Sequence, residues 1–419
     1  MESGLRRESR VLVIGAGVIG LACAFRLARE GLAVTLVDRG KPGRGTSFGN
    51  AGHIGTEQVF PLASPEVVRG ALGYLLDRES PLRIRPRYAL RILPWLLRFA
   101  WASRRASFER GTAALSSLQR TAREDLAALL RLAGAERLLH VDGHLVLVER
   151  EASVDAAKSE IAMMRAHGVE AEWLSREDVR SIAPEVVAPL EGAWRFTGTG
   201  HVDDPLAVSE ALERGFRDAG GEVLEEEVVD VEGGDAPFIA RTMSGRRVEG
   251  ARVLLACGAW SAGLAARLGY RVPLDTERGY HITLPATFPR FRIPVASYER
   301  KVIMTPMTIG LRMTGTVEFG GLQLPPDPHR FAMLERHLEA LVPQASFEGM
   351  TTWMGYRPSL PDHLPVLGRV PDGRDIHFAF GHQHLGLTLA GVTARLVTDE
   401  MMGRPRTVDL APFSPARFR

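Results

Sequence analysis

Residues 10–38 read RVLVIGAGVIGLACAFRLAREGLAVTLVD, and this stretch decides the fold. Residues 10–14 form a short apolar run typical of a buried strand, and residues 21–29 carry apolar side chains at helical spacing. A second apolar run, residues 33–37, ends at Asp38. The order of strand, glycine turn, helix, strand and terminal acid predicts a dinucleotide-binding unit of the Rossmann type.

Each glycine of the GAGVIG turn has its own physical role. Gly15 permits a tight turn, and Gly17 lets the backbone approach a pyrophosphate. Gly20 lets the helix pack closely on the strand. The helix N-terminus then offers N–H groups to the phosphates, and Asp38 offers its carboxylate to a ribose. The glycines alone are weak evidence, so the flanking strands, helix and acid make the prediction specific.

Composition excludes several classes of protein. The chain has 419 residues, of which 45% are hydrophobic and 24% charged, so we expect a folded protein of two or three domains. Its 52 basic and 50 acidic residues give a net charge of +2, which does not favour a nucleic-acid partner. Cys23 and Cys257 lack metal-ligand spacing, and we expect two core residues in a reducing cytoplasm. We expect neither a signal peptide nor a membrane span, because no apolar run is long enough.

The rest of the chain does not alternate simply between strand and helix. Residues 43–55, GRGTSFGNAGHIG, are typical of backbone that lies against a flat ligand. Residues 270–320 are predicted to form strands, and residues 205–261 return to nucleotide-domain character, ending in RVLLACGAWS. Residues 66–135 are predicted to be mostly helical and to be broken by Pro81, Pro86 and Pro94. The pattern indicates two interwoven domains.

Four stretches together resemble the FAD-dependent D-amino-acid oxidase superfamily, and within it the D-amino-acid dehydrogenase and D-hydroxyproline dehydrogenase branch. They are GAGVIG with Asp38, TSFGNAG (46–52), VLLACGAWS (253–261), and GYRPSLPDHLPVLG through GHQHLGLT (355–388). The resemblance implies an α/β plus α+β fold, in which a Rossmann-type FAD-binding domain is interwoven with a substrate domain built on an antiparallel sheet. We assign residues 10–60, 200–265 and 352–403 to the FAD-binding domain, and residues 61–199 and 266–351 to the substrate domain.

The resemblance also implies which residues contact FAD. A helix predicted to begin at Leu387 would direct its positive end toward the flavin ring. Neither cysteine lies where the cysteinyl-flavin members of the family attach their cofactor, whereas a histidyl link stays open. The expected contacts are Gly15, Gly17, Val18, Ile19, Gly20, Asp38, Arg39, Thr46, Ser47, Asn50, Ala51, Gly52, Val228, Cys257, Gly258, Trp260, Gly381, His384, Gly386, Leu387 and Thr388.

Arg357 is the expected anchor of the substrate. It precedes a proline in GYRP, and its planar guanidinium suits bidentate capture of a carboxylate. In the family that the chain resembles, the arginine of the matching GxRP motif holds the substrate carboxylate. The alternative is a structural arginine that donates to turn carbonyls.

Two further side chains are candidates for the substrate pocket. Tyr280 is predicted to lie on a strand that faces the flavin, and its phenol is expected to join Arg357 at the substrate carboxylate. The alternative is that Tyr280 only packs against neighbouring side chains. His53 follows the segment expected to lie along the flavin and is expected to reach the substrate, unless backbone groups satisfy its ring. His382 and His384 lack a third ligand at suitable spacing, so we expect no metal there.

The resemblance implies oxidative deamination of a D-amino acid, or of a cyclic amino acid such as D-proline or D-hydroxyproline, by hydride transfer from the alpha carbon to flavin N5. Arg357 would present one face of the alpha carbon to the ring and so select its handedness. Two alternatives stay open: a glycine or sarcosine type of oxidase that uses oxygen, and a flavin-binding subunit without turnover. The sequence leaves open whether the electron acceptor is a quinone, a protein or oxygen, and whether the chain forms a homo-oligomer.

A basic segment bears on the acceptor. Residues 69–110 hold ten arginines against three acids, with Trp95 and Trp101 among them. Such a segment can lie on an anionic membrane and deliver electrons to quinone, which would place a cytoplasmic protein on the inner face of the membrane. The alternative is a helical pair with solvated arginines.

Overall fold

The computed structural model describes residues 10–76, 80–234, 236–285 and 291–418. The helices are α1 (Val18–Arg29), α2 (Pro65–Leu76), α3 (Ala89–Ala102), α4 (Arg105–Leu132), α5 (Glu151–Arg165), α6 (Arg176–Ile182), α7 (Pro205–Asp218), α8 (Ser261–Arg267), α9 (Pro328–Leu341) and α10 (Ala390–Met401). The strands are β1 (Val11–Ile14), β2 (Val34–Asp38), β3 (His53–Ile54), β4 (Leu82–Ile84), β5 (Leu139–His140), β6 (His144–Val148), β7 (Ala171–Leu174), β8 (Gly192–Phe196), β9 (Gly200–Val202), β10 (Glu222–Glu225), β11 (Val228–Glu232), β12 (Phe238–Thr242), β13 (Arg247–Gly250), β14 (Arg252–Leu255), β15 (Asp275–Pro285), β16 (Val295–Ser297), β17 (Val302–Met307), β18 (Gly310–Phe319), β19 (Thr351–Ser359), β20 (Val366–Arg369) and β21 (Ile376–Phe380).

One sheet has the strand order β10-β2-β1-β14-β21-β20. Its neighbours run parallel except β20, which pairs antiparallel with β21. Both faces are buried, as is usual for a parallel sheet. Val11 and Val13 join the core formed with α1, α4, α7 and α10, whereas Leu12 and Ile14 join the core formed with β11, β12, β13 and α8. This is the Rossmann-type sheet that the opening stretch predicts.

A second, mixed sheet has the order β19-β15-β18-β17-β16-β6-β8-β7, with β4 paired to β18. Its pairs are antiparallel except β16 with β6 and β18 with β4. Leucines of α9 and Val179 of α6 pack into the apolar core of this sheet. The largely antiparallel sheet beside the Rossmann-type sheet confirms the predicted fold class.

Three placements differ from the sequence-based expectations. β19 pairs with β15 in the mixed sheet, although our division puts residues 352–403 in the FAD-binding domain. Helix α4 packs Leu118 and Leu126 into the core of the Rossmann-type sheet, although we assign residues 61–199 to the substrate domain. Pro94 lies inside α3 and does not end it, whereas we expected it to break the helical run.

The helices of the described residues include none that combines the length and the apolar character needed to cross a bilayer. α3 is instead short and has an apolar surface. Leu90, Leu97 and Trp101 are 88%, 65% and 64% exposed, whereas Ile92 and Trp95 face inward.

Candidate active site

A cavity of about 430 Å³ lies at the carboxyl ends of the parallel strands β1, β2, β14 and β21. Ligands bind in this position in open α/β sheets. Many of the residues expected to contact FAD line the cavity. They are Gly15, Gly17, Val18, Ile19, Asp38, Arg39, Thr46, Ser47, Asn50, Val228, Cys257, Gly258, Trp260, Gly381, Gly386 and Leu387.

The glycine turn brings backbone close to this cavity. Gly15 has φ +106°, and a Cβ there would lie 2.5 Å from the carbonyl oxygen of Ala256. A Cβ at Gly20 would lie 1.8 Å from the carbonyl oxygen of Gly15, so this glycine serves helix packing rather than ligand contact. A Cβ at Gly17 would meet only Ser47 Oγ, at 3.3 Å, and Gly17 lines the cavity. The turn therefore fits a pyrophosphate at Gly17.

Asp38 holds the turn as well as facing the cavity. One carboxylate oxygen accepts from the backbone N–H of Ala16 at 2.6 Å, and the other accepts from Gly40 at 3.0 Å. Ser47 Oγ accepts from the N–H of Val18 at 2.9 Å, which satisfies one donor at the start of α1. The two Asp38 carboxylate oxygens thus also fix the backbone, and their remaining lone pairs are available to a ribose or a water.

The cavity also contains features that the sequence did not predict. Glu226 and Glu227 line it, because they follow β10, which lies beside β2 at the same sheet edge. Residues 222–232 contain no glycine or proline to mark a turn, whereas in the structure β10 ends at Glu225 and β11 begins at Val228. Gln383 lines it with φ +52°, and the Arg39 guanidinium stacks 3.9 Å over the Trp260 ring.

Five expected contacts do not line the cavity: Gly20, Ala51, Gly52, His384 and Thr388. Thr388 Oγ1 accepts from the N–H of Gly55, and α10 begins at Ala390, three residues later than predicted. Cys257 does line it, and its thiol donates to the carbonyl of Ile14 at 3.1 Å. Burial raises the pKa of this thiol, so it stays protonated.

Arg357 lies on β19 directly opposite the buried Glu277 of β15. Its Nη1 donates to the carbonyl oxygen of Thr316 at 2.8 Å, which is the single hydrogen bond that the described residues provide for this guanidinium. Burial lowers its pKa and Glu277 partly offsets this, but an arginine remains charged at neutral pH. The guanidinium therefore keeps N–H groups for a ligand.

A β-bulge positions this arginine. β18 places Thr316 and Val317 opposite the single residue Gly279 of β15, where the register shifts. Thr316 has φ +65°, an unusual value for a β-branched residue. Bulges commonly redirect groups beside active sites, and here the bulge turns the Thr316 carbonyl toward Arg357.

The structure corrects the expected role of Tyr280. Successive side chains of a strand point to opposite faces, so Gly279 faces Arg357 and Tyr280 faces away from it. The Tyr280 hydroxyl donates to Glu318 Oε1 at 2.9 Å and accepts from the N–H of Asp327 at 3.0 Å. Tyr280 is fully buried and does not meet Arg357.

His53 also differs from its expected role. Its Nδ1 is 3.1 Å from the carbonyl oxygen of Gly200, and its Nε2 is 3.1 Å from Glu57 Oε1. Both ring nitrogens thus have protein partners, and direct substrate contact would break one of these interactions. Burial by itself raises the pKa of Glu57, but His53 and His144 outweigh it and bring it to about 2.

A polar chain connects this carboxylate to His384. Gln58 Nε2 donates to Glu57 Oε1 at 3.2 Å, so Gln58 Oε1 faces His384 Nε2 at 3.0 Å. His384 Nε2 therefore carries the proton and Nδ1 is left as an acceptor. Burial, and secondly the charge of Arg357, lower the pKa of His384 to about 3. Its neutral ring lies close enough to Arg357 to respond to that charge.

Comparison with known proteins decides the family. Residues 10–400 match the model of the FAD dependent oxidoreductase family. The chain belongs to this family. FAD is its cofactor, and the glycine turn and the cavity of this oxidoreductase fit that group.

Named relatives of the oxidoreductase cover nearly its whole length. A D-amino-acid oxidase of Bradyrhizobium diazoefficiens is 32% identical over 421 residues, covering 97% of this chain and 98% of that protein. D-amino acid dehydrogenase 2 of Pseudomonas aeruginosa is 32% identical over 416 residues, covering 97% and 98%. The crystal structure of glycine oxidase from Geobacillus kaustophilus has a TM-score of 0.74 at 25% identity, covering 98% of this chain and 99% of that one.

Proposed function

We propose that this oxidoreductase oxidises the alpha carbon of a D-amino acid whose carboxylate binds Arg357, and that the electrons pass to a membrane quinone. The observation that carries the proposal is the position of Arg357. The next residue, Pro358, lines the FAD cavity, and the carbonyl of the preceding Tyr356 accepts from Thr46 Oγ1 at 3.1 Å. A carboxylate held by Arg357 therefore lies beside the cofactor site.

The residues of the chain act mainly by orientation. Bound FAD supplies the oxidant that accepts the hydride. Arg357, steadied by the Thr316 carbonyl, holds the carboxylate through its remaining N–H groups. The substrate amine must be neutral for its lone pair to assist. We expect His384 Nδ1, which the bond of Nε2 to Gln58 leaves as an acceptor, to accept a hydrogen bond from this amine. The imino acid then reacts with water to give a 2-oxo acid and ammonia, whereas a cyclic substrate gives a cyclic imine.

The membrane part of the proposal rests on α3 and the residues around it. Exposed Leu90, Leu97 and Trp101 lie at helical spacing, and Leu93 joins them. The exposed arginines 87, 91, 98 and 104 surround this stripe, and the Arg104 guanidinium stacks 3.4 Å over Trp101. An apolar stripe bordered by arginines is complementary to an anionic lipid surface, which here is the cytoplasmic face of a membrane.

The structure narrows the set of arginines available to lipid. Arg85 pairs with Asp327 Oδ2 at 3.2 Å and with Glu318 Oε2 of β18 at 3.5 Å. These ion pairs hold Arg85 against the mixed sheet, so we leave it out of the lipid-binding set. Arg105 pairs with Glu109 at 2.9 Å. Arg78 and the acids at positions 77 and 79 fall outside the described residues.

Vesicle sedimentation of the FAD-loaded protein tests the membrane contact. We expect sedimentation with anionic vesicles at low salt, release at high salt, and faster turnover with a quinone analogue than with oxygen. Replacing Arg87, Arg91 and Arg98 together with Gln should weaken binding by about 100-fold, at about 1 kcal/mol for each arginine. Three exposed arginines elsewhere, replaced with Gln, are the matched control and should leave binding unchanged: Arg180, Arg246 and Arg247.

The same experiment separates the alternatives. Rapid oxygen consumption by a wild type that ignores vesicles would identify an oxidase and remove the quinone proposal. One relative is named an oxidase and another a dehydrogenase, so their names do not identify the electron acceptor. Comparing the turnover rates with oxygen and with the quinone analogue identifies it. A glycine-type substrate is not favoured, because the curated relatives are named for D-amino acids. Turnover of any amino acid would exclude a purely flavin-binding subunit.

A further inference from the structure

Three side chains meet outside the FAD cavity, at the small sheet β3-β9-β5 and the start of β6. Their ligand-type atoms, His53 Nε2, His144 Nε2 and a Glu57 carboxylate oxygen, all lie within 4.8 Å of one another. The distances from Glu57 Oε1 are 3.1 Å to His53 Nε2 and 4.0 Å to His144 Nε2. In a tetrahedral site with metal–ligand bonds of 2.0–2.1 Å, two ligand atoms lie about 3.4 Å apart, and the two distances lie on either side of this value.

Hydrogen bonds fix which nitrogen of each ring faces the centre. The Gly200 carbonyl can only accept, so His53 Nδ1 carries a proton. Thr199 Oγ1 donates to the carbonyl of Phe196 at 3.2 Å, so it accepts from His144 Nδ1 at 2.9 Å. A proton on Nδ1 bound to a carbonyl or hydroxyl leaves Nε2 with its lone pair, which is the usual arrangement of a metal-ligating histidine.

Glu57 Oε1 accepts from Gln58 Nε2, but two other atoms of the cluster have no hydrogen bond within the described residues. Glu57 is 5% exposed, and its buried Oε2 has no partner among the described residues. His144 is 3% exposed, and its Nε2 makes no hydrogen bond within the described residues; it lies 4.0 Å from Glu57 Oε1, and the His144 and His53 ring centroids are 4.4 Å apart. A proton shared by His53 and Glu57 would form one hydrogen bond and leave the His144 nitrogen without a partner. A single cation would bind both histidines and the carboxylate.

Helix α4 also holds the turn that carries the Glu57 carboxylate. Gln119 of α4 donates through Nε2 to the carbonyls of Gly55 and Gln58, both at 3.1 Å, and so clamps the turn that carries Glu57. A Cβ at Gly55 would lie 3.4 Å from Glu57 Oε1, so the turn packs closely on the cluster. A clamped turn of this kind keeps a ligand preorganised.

We propose that His53, Glu57 and His144 bind one divalent cation of the zinc class. Two imidazoles and a carboxylate suit Zn²⁺ and leave one of its four coordination positions for water or another small ligand. None of the three residues lines the FAD cavity, so this site is separate from the cofactor site. The chain through Gln58 to His384 links it to the proposed substrate pocket.

Titration of the chelator-treated, FAD-loaded protein with Zn²⁺ tests the proposal. We expect one Zn²⁺ per chain to survive gel filtration, and Glu57→Gln and His144→Gln each to weaken binding by about 100-fold or more. Thr199→Val, which removes the Nδ1 acceptor, should weaken binding by about 10–100-fold, and Thr199→Ser should restore it. The matched control is His140→Gln, on β5 of the same small sheet, where His140 Nε2 lies 2.8 Å from Asp203 Oδ1; this variant should leave binding unchanged.

Each of three outcomes overturns the proposal. If the wild type retains no stoichiometric Zn²⁺, the pair of His53 and Glu57 shares a proton instead. If Glu57→Gln binds Zn²⁺ as tightly as the wild type, the ion binds elsewhere. A crystal of the wild type soaked in Zn²⁺ needs no variant: an anomalous peak among the three side chains supports the site, and its absence there refutes it.

Discussion

Replacing Arg357 with lysine removes the fork that we assign to the substrate carboxylate while keeping the positive charge. In the structure one N–H of the guanidinium already donates to the Thr316 carbonyl at 2.8 Å. A lysine ammonium cannot make this bond and also two parallel bonds to a carboxylate, because it is a compact point charge. The variant therefore loses part of the substrate contact, part of its own support, or both.

The magnitude follows from the bonds lost. A charge-assisted hydrogen bond contributes about 1.5–3 kcal/mol, and leaving the Thr316 carbonyl without its donor costs about 1–2 kcal/mol more. The sum of about 2.5–5 kcal/mol corresponds to a fall of about 70- to 5000-fold in kcat/KM. FAD should stay bound with an almost unchanged visible spectrum, because Arg357 does not line the cofactor cavity.

Anaerobic stopped-flow reduction of the bound flavin measures this effect without involving the electron acceptor. The matched control is Arg195→Lys, at a half-buried arginine on β8 of the same sheet that pairs with Glu172 at 3.3 Å, and this variant should be reduced at the wild-type rate. If Arg357→Lys keeps kcat/KM within about threefold of the wild type on the best substrate, the carboxylate binds elsewhere and Arg357 is structural.

Three further outcomes are expected. Gly17→Val should purify without FAD, because the valine side chain enters the cavity. The control Gly40→Val should keep FAD, because nothing lies within 4 Å of a Cβ at Gly40. Absorbance of the purified proteins measures bound FAD, and full retention in Gly17→Val would contradict the placement of the pyrophosphate at Gly17. Burial by itself lowers the pKa of His377, but the hydrogen bonds of this residue to Asp375 and Glu400 outweigh burial and raise the pKa. The contribution of His377 to the free energy of unfolding is therefore fully present below about pH 6.5, and it is lost as the pH rises through the pKa of the folded state. His377→Gln should thus lower the free energy of unfolding by about 2–3 kcal/mol near pH 6 and by less near pH 9, which denaturant unfolding at the two pH values measures; an equal loss at both contradicts this sign. Flavin reduction should accelerate with pH through the pKa of the bound amine, and a flat rate profile would show that the amine binds already neutral.

The Rossmann-type part was predictable because its signals are local. The apolar run at Val11–Ile14, the glycines and Asp38 are adjacent in sequence, and each has a backbone reason for its position. The likeness to the GxRP motif identified Arg357 as a candidate. Its support by the Thr316 carbonyl, 41 residues away, depends on the pairing of both β18 and β19 with β15. Such pairing is not readable from one strand.

The two misjudged side chains have different causes. Residues 280–284 alternate as Tyr-His-Ile-Thr-Leu, and Tyr280 joins Ile282 and Leu284 in one apolar core, so this alternation was the available signal that Tyr280 packs. Glu57 reads as an ordinary polar loop residue, and it becomes a buried carboxylate only because His144, from a distant strand, is brought against it. The spacing of four between His53 and Glu57 was the available signal.

The rate at which each enantiomer of an amino acid bleaches the bound flavin without oxygen tests the central claim most directly. The purified FAD-loaded protein should be reduced rapidly by D-enantiomers, with D-alanine, D-proline and D-hydroxyproline as the first panel, and very slowly by the matching L-enantiomers, because Arg357 presents one face of the alpha carbon to the cofactor. Equal rates for the two enantiomers, or no bleaching by any D-amino acid, would contradict the account.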